Sequence, residues 1–487
     1  MLSDIALVHG DASWTFAQLF EQASRWAEIL TARGVEAGDR VLLHATKQLD
    51  TVAALYGIWQ AGAVAVPMAA DTRARGRAHL RAHSGASHIV TEERYRDLWP
   101  DALLLEHRSD YTRAPVVSLE AEAADPNVST AGLAILLYTS GSTGRPKGIA
   151  ITHDNLTAGA RIVSGYLGLT GADRILSVLP LHFDYGLNQL LCAVEMGCTL
   201  VLQRSSHPGR IVQTLVDAEV SVLAGVPPLW HLLLQPGSPI AKAPLRLLTN
   251  SGGAFPAKLL ATTQHVLPES ALVLMYGLTE AFRSTYLPPG ELASRGPILG
   301  RAIPETEIDV VDAEGRRCPP GVEGELIHRG PTVARGYHDD PEATARVFRE
   351  DPLGRGGTVV FSGDTVWCDE DGYFTYVGRR DQQLKCFAQR VCPEEVEQVL
   401  LTHPRVEEAV VGGVPNEIAG TRVVAHVVAA PLDEEALLDW CREVLPPHEQ
   451  PLAVVVHRAF PTTSSGKTDR TTVLETPLPA PKVPGFH

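Results

Sequence analysis

The strongest constraint on the fold is an alternation of two periodicities. Across the first two-thirds of the chain, short apolar runs alternate with segments of helical spacing. "DRVLLHA" (39–45) reads as a buried strand, "LDTVAALYGIWQAG" as a helix and "AVAVPM" as a strand again. "ASHIVTE", "RILSVLP", "TLVLQ" and "VSVLAGVP" repeat the strand signal. Strands joined by helices form parallel or mixed sheets covered by those helices. From about 296 to 378 the texture changes to Gly-rich short strands, "EIDVVDAEGRRCPPGVEGELIHRG" and "DEDGYFTYVGRRD", with Asp-Gly and Glu-Gly hairpin turns. A boundary near "GRRDQQLK" (378–385) precedes a helix opening on Pro393, the strand-like "VEEAVVGGV" and "TRVVAHVVAA", and a helix "DEEALLDWCREVL". The fold class is therefore α/β. A large N-terminal domain (1–380) has mixed sheets layered with helices and a small β-barrel-like subdomain; a small α+β C-terminal domain (381–487) follows. The Pro-rich tail "ETPLPAPKVPGFH" reads as loosely ordered.

A chain of 487 residues exceeds one compact core, which agrees with that division. Its 42 basic and 57 acidic side chains give a net charge of −15, which disfavours nucleic acid and anionic membranes as partners. The seven cysteines contain no C-x-x-C pair, so they read as reduced thiols of a cytoplasmic protein. The N-terminus lacks a basic, apolar leader, and no window is long enough to cross a membrane.

Chemistry concentrates in "LLYTSGSTGRPKGIAITH" (136–153), where an apolar strand runs into glycines, hydroxyls, an Arg and a Lys. Such a loop can turn backbone N–H groups, hydroxyls and an ammonium onto phosphates. It is not a Walker A loop, because Pro146 precedes Lys147 and Gly148 follows it. The alternative is a flexible turn. A second oddity is "LPLHFDYGLNQLL" (179–191), an apolar run with Asp184 in its middle. A carboxylate there requires a cation or several donors, or else caps the helix that follows.

"YTSGSTGRPKG" resembles the signature phosphate loop of the adenylate-forming superfamily, which includes acyl-CoA synthetases, luciferases and nonribosomal peptide adenylation domains. "NSGGAFP" (250–256), "MYGLTEA" (275–281), "GELIHRGPTVARGY" (324–337), "FSGD" (361–364), "GRRDQQLK" and "PTTSSGK" (461–467) resemble its further motifs, in the expected order. The resemblance implies two half-reactions: a carboxylate and ATP give acyl-AMP and pyrophosphate, and a thiol then takes the acyl group. It implies pyrophosphate contacts from Thr139, Ser140, Ser142, Thr143 and Lys147, and an adenine-contacting loop at Gly252, Gly253 and Ala254. Tyr276 and Gly277 resemble the adenine-packing motif, Thr279 a phosphate contact and Glu280 the Mg²⁺ ligand. Asp364 resembles the ribose-binding acid, Arg379 a ribose or phosphate contact, Lys467 the catalytic lysine, and Asp381 the hinge of a mobile C-terminal domain. Read singly, Glu280 could instead pair with Arg283 on a helix face, Asp364 could cap a turn and Lys467 could be a solvated surface charge. One departure stands out: Ala388 replaces the Gly that the family places before the motif Arg, here Arg390, on the path of the thiol.

By the same resemblance, Phe183, Asp184, Leu187, Ser251, Gly252 and Arg283 line the acyl pocket, and an aspartate at Asp184 marks amino-acid-activating members. "FDYGLNQ" and "YGLTEAFRSTYLPP" resemble stand-alone enzymes that load β-amino acids onto carrier proteins in macrolactam antibiotic pathways, and next the acyl-CoA ligases associated with exosortase clusters. The implied substrate is a β-amino acid, its ammonium on Asp184. If Arg283 points into the pocket it binds a second carboxylate, as in an aspartate-like substrate. The implied cofactors are ATP and Mg²⁺, and the implied acceptor is a phosphopantetheine carrier protein or CoA. The alternatives are an AMP-forming acyl-CoA ligase for a plain acid and a degenerate nucleotide-binding regulator.

Overall fold

The computed structural model describes residues 2–70, 72, 74–105, 132–139, 146–379, 384–386, 389–416, 420–464 and 466–477. Each of the seven apolar runs is a strand or helix where its period places it. Arg40–His44, Val64–Met68, His88–Glu92, Arg174–Ser177, Thr199–Leu202 and Val222–Gly225 are strands, and Leu49–Gln60 is a helix.

The strands form two large mixed sheets. In one, Ala271–Tyr276, Leu247–Asn250, Val222–Gly225, Arg174–Ser177, Thr199–Leu202 and Ile5–His9 pair in parallel, in that order. In the other, Leu133–Thr139, Val64–Met68, Arg40–His44, His88–Glu92 and Leu103–Leu105 run parallel. There Lys147–Thr152 pairs antiparallel with Leu133–Thr139, and Gly336–Tyr337 pairs antiparallel with it in turn at the sheet's edge. Helices are packed between the sheets. Leu19, Ile58, Val163 and Leu190 of four helices share one buried cluster with Leu7 and Leu200 of the first sheet and Val41 and Ile135 of the second. At about 25 cal/mol per Å² of apolar surface removed from water, such a shared core is what fixes the sheets relative to each other.

Residues 307–379 form the small β-subdomain, five antiparallel strands with Thr358–Cys368 paired to three others. Its expected turns are present, with Gly315 and Gly372 both at positive φ. The C-terminal part builds a five-stranded mixed sheet around Gly420–Ala429, covered by the helices Pro393–Thr402 and Glu434–Val444. The first of these opens on Pro393, as expected, and Asp433 caps the second through the Glu435 amide. All seven cysteines are free. Among the described residues, no helix is long and apolar enough to cross a membrane. The tail from residue 478 lies outside the described residues.

One buried titratable group makes the fold acid-sensitive. His328 is fully buried between the hydroxyls of Ser284 (2.9 Å) and Thr332 (3.2 Å), and burial holds its pKa down to about 3. An imidazole that titrates lower in the folded state than in the unfolded chain stabilises the fold fully above about pH 6.5. That contribution is lost as pH falls from 6.5 towards 3, because the unfolded chain binds the proton first. Urea unfolding is expected to show a loss of about 2 kcal/mol between pH 7 and 5 from this group. His328→Gln should flatten the dependence by that amount, and an unchanged slope would refute the assignment.

Candidate functional site

Several strands of the first sheet end at one place. Asn250, Tyr276 and Ser177 are the last residues of three parallel strands, and the loops beyond them carry Ser251–Ala254, Gly277–Arg283 and Val178–Phe183. The region outside the carboxyl ends of parallel strands is where open α/β sheets hold ligands. The second sheet contributes Thr139 and Lys147, which are register partners at the adjoining ends of their strands. The β-subdomain contributes Asp364 and Arg379, also register partners.

Tyr276, Asp364 and Arg379 form one polar group. The Tyr276 hydroxyl donates to the Asp364 carboxylate, and Arg379 Nε lies 3.4 Å from its other oxygen. Asp364 is buried within the strand Thr358–Cys368, and its amide donates to Ser362 Oγ at 3.0 Å. Burial and the neighbouring carboxylate hold the Tyr276 phenol well above its ordinary range. Tyr276 therefore stays a hydrogen-bond donor at any working pH.

Glu280 does not pair with Arg283, and the segment between them is a turn rather than a helix face. Instead, its Oε1 accepts the Tyr337 hydroxyl at 2.6 Å. Lys147 lies 3.7 Å from the Asp340 carboxylate and 5.1 Å from the centre of the Tyr337 ring. Thr279 is half-buried in the same turn as Glu280, and the Gly277 backbone packs directly on the carbonyl of Phe282.

Asp184 is the first residue of the helix Asp184–Met196; the capping position belongs to Phe183, which makes no side-chain cap. One carboxylate oxygen takes the Tyr185 amide at 2.7 Å, and the other lies 3.7 Å from Arg283 Nη1. Both side chains are almost completely buried, with Asp184 5% and Arg283 2% exposed. Arg283 also lies over the Tyr185 ring at 4.5 Å and donates to the Phe282 carbonyl at 2.7 Å. Its Nε and Nη2 are buried with no hydrogen-bond partner. Phe282 adopts a positive φ of 65°, uncommon for a bulky residue, and this turn directs the following Arg283 inward. Of the placements the sequence left open for Arg283, the structure shows it beside an acid, Asp184. Leu187, on the same helix as Asp184, and Ser251 are both buried.

Lys467 reaches the same place from the C-terminal sheet's side. Its ammonium is 4.8 Å from the centre of the Phe183 ring. A Cβ on Gly252 would fall 2.7 Å from Lys467 Cε, and its φ of +77° itself favours glycine. Thr463 N–H donates to the Lys467 carbonyl at 2.7 Å, closing the loop that presents it, and His182 Nε2 lies 3.4 Å from Ser464 Oγ. Burial holds Lys467 below the usual lysine range; Asp184 and Glu280 pull it back up, while Arg283 and Arg379 push it further down.

Ser140, Ser142, Thr143, Asp381 and Ala388, with the side chain of Arg390, lie outside the described residues. Gly253 packs on Pro227, its carbonyl accepts Asn250 Nδ2 at 3.2 Å, and Ala254 follows in the same exposed loop. Sequence reasoning gave no role to Tyr337, Asp340, His182 or Ser464. Tyr337 ends the quoted run "GELIHRGPTVARGY", and its partner could not be read from spacing because Glu280 is 57 residues away.

Residues 2–338 match the AMP-binding enzyme family, and residues 395–467 match the AMP-binding enzyme C-terminal domain. A dimodular nonribosomal peptide synthase of Bacillus subtilis (strain 168) is 30% identical over 486 residues, covering 98% of this chain and 20% of that one. The chain thus spans a fifth of that relative's length. A feruloyl-CoA synthase of Amycolatopsis sp is 32% identical over 472 residues, covering 95% of this chain and 94% of that one. Among solved structures, ATP-bound MatB from Rhodopseudomonas palustris superposes with a TM-score of 0.86 at 27% identity, covering 97% of this chain and 95% of that one.

Proposed function

Because this chain belongs to the AMP-binding enzyme family and is an AMP-forming ligase, we propose that its substrate is an amino acid, a β-amino acid of aspartate-like form. The observation that carries this reading is a set of charges: one buried acid, Asp184, 3.7 Å from Arg283 Nη1, with the Lys467 ammonium over the ring of the preceding residue, Phe183. A substrate with one ammonium and two carboxylates matches it group for group. The ammonium faces Asp184, the reacting carboxylate faces Lys467, and the second carboxylate takes N–H groups on the two unpartnered nitrogens of Arg283, Nε and Nη2.

In the first half-reaction a carboxylate oxygen attacks the α-phosphorus of ATP, the bond to the bridging oxygen breaks, and pyrophosphate leaves. Lys467 neutralises charge on the attacking carboxylate and the α-phosphate, while Lys147 and Thr139 hold the departing phosphates. Tyr276 packs on adenine, and Asp364 accepts the ribose hydroxyls, for which Tyr276 and Arg379 orient it. Glu280 would hold Mg²⁺ together with phosphate oxygens and water, since Mg²⁺ takes few protein ligands and one Glu280 oxygen is fixed by Tyr337 while the other is left to face the ion. When bound, the ion supplies charge neutralisation at the phosphates. In the second half-reaction the sulfur of a carrier protein's phosphopantetheine attacks the acyl carbon, AMP departs and the thiol proton is lost. For this step the C-terminal domain, 381–487, turns about Asp381. We place the enzyme in the cytoplasm, in a natural-product assembly pathway, without a nucleic-acid or membrane partner.

A second reading is favoured by one observation: Asp184 already has a cation at 3.7 Å. In that reading Asp184 serves only to hold Arg283, and the substrate is a dicarboxylic acid without an amine, passed to CoA. Acid-dependent ATP–pyrophosphate exchange over α-amino acids, β-amino acids, diacids and plain acids separates the two. Exchange with 3-amino acids, strongest for those with a second carboxylate, is the expected result. Exchange with the amine-free diacids alone would replace the first reading by the second.

A further inference from the structure

We infer that Tyr337 is a positioning residue that holds the proposed magnesium ligand Glu280 and the proposed phosphate lysine Lys147 in one geometry. The inference rests on the reading of Glu280 as the metal ligand and adds the group that aims it. Tyr337 closes the two-residue edge strand Gly336–Tyr337, which lies against Lys147–Thr152 with Tyr337 opposite Ile149. Arg335 N–H donates to the Ala150 carbonyl at 2.9 Å and His338 N–H to the Gly148 carbonyl at 2.7 Å, so this segment is bonded along the strand that begins with Lys147.

The same segment grips Glu280 twice. Ala334 N–H donates to the Glu280 carbonyl at 2.9 Å, and the Tyr337 hydroxyl donates to the Glu280 carboxylate at 2.6 Å. A carboxylate that accepts one charge-assisted bond at a fixed oxygen loses rotational freedom and presents its other edge in a defined direction. The ring of Tyr337 meanwhile lies under the Lys147 ammonium at 5.1 Å, and Asp340, three residues on, faces the same ammonium. One short strand therefore ties a turn of the first sheet to the antiparallel strand Lys147–Thr152 of the second.

Tyr337 is itself fixed. Its N–H donates to Thr344 Oγ1 at 2.9 Å, and Thr344 in turn donates to the Asp340 carbonyl at 2.8 Å. Gly336 has φ +135°, and a Cβ there would lie 2.6 Å from Thr344 Cγ2, so a side chain before Tyr337 would break this arrangement. Tyr337 also packs edge-to-face on Phe348 at 5.6 Å. Removing the hydroxyl alone leaves that packing and the Lys147 platform intact.

The test is binding of Mn²⁺ to the protein–ATP complex, followed by the EPR signal of free Mn²⁺, beside ATP binding measured in EDTA. Tyr337→Phe is expected to weaken Mn²⁺ binding about tenfold while leaving metal-free ATP binding and the melting temperature unchanged. Tyr337→Leu, which also removes the ring, should weaken metal-free ATP binding as well. Glu280→Gln is the control. If Glu280→Gln weakens Mn²⁺ binding and Tyr337→Phe does not, the positioning role is overturned. If Glu280→Gln itself leaves Mn²⁺ binding unchanged, the metal-ligand reading fails and the inference falls with it. Loss of melting temperature in Tyr337→Phe, with metal-dependent and metal-free ATP binding reduced together, would leave a packing role only and overturn it.

Discussion

Replacing Asp184 by Asn is expected to raise the amino-acid KM in the exchange reaction about a hundredfold or more, with the ATP KM changed less than about twofold. Asp184 and Arg283 lie 3.7 Å apart, both nearly inaccessible to water. Burying either charge alone is costly, and breaking a buried pair by removing one member costs about 3–5 kcal/mol because the other is left uncompensated. Each single variant is therefore expected to lose stability as well as affinity. The functional and structural parts separate in a double-mutant cycle. Asp184→Leu with Arg283→Met removes both charges, and its stability should return most of the way to the parent value while amino-acid exchange stays lost. Arg283→Ala alone should abolish exchange with aspartate-like substrates. If Asp184→Asn raises both KM values equally, the carboxylate acts on the start of its helix and not on substrate. If it leaves diacid exchange intact while Arg283→Ala destroys it, the substrate carries no amine.

This pair also marks where the sequence stops being informative. The strands are legible because a buried parallel strand must be a short apolar run, and Val64–Met68 or Val222–Gly225 can be little else. The helix at Pro393 is legible because proline suits the first position of a helix, a purely local rule. Asp184 stands out because it is an acid in an apolar run, yet its partner is 99 residues away and hidden by a turn with a left-handed Phe282. No local pattern encodes that turn. The same holds for Tyr337 and Glu280, and for Gly252, whose approach to Lys467, 215 residues later, no local pattern shows. Ordered motifs bring such residues onto a list of candidates. Which of them touch depends on how two sheets and the C-terminal part pack, and that is a property of the whole core.

Lys467→Ala is expected to lower the rate of acid-dependent exchange by about 10²–10³-fold, the loss typical when one preorganised donor to a developing charge is removed. The pH profile should identify it further. Burial already holds Lys467 below the usual lysine range, so the free enzyme should lose activity on the alkaline side earlier than an exposed lysine would allow. A substrate carboxylate and the α-phosphate are anions that favour the charged ammonium. The alkaline limb of kcat should therefore lie at higher pH than that of kcat/KM. The neighbours set the signs of two further shifts. Asp184 raises the Lys467 pKa and Arg283 lowers it. Asp184→Asn should move the alkaline limb of kcat/KM to lower pH, and Arg283→Ala, measured with a substrate it still accepts, should move it to higher pH. Shifts in one common direction would mean that the limb reports another group. No shift in either variant would mean that Lys467 does not share the pocket with this pair during catalysis. The rate loss and the opposed shifts test one geometry: an ammonium seated between Gly252 and Phe183, with the buried acid and the buried guanidinium acting on it in opposite senses.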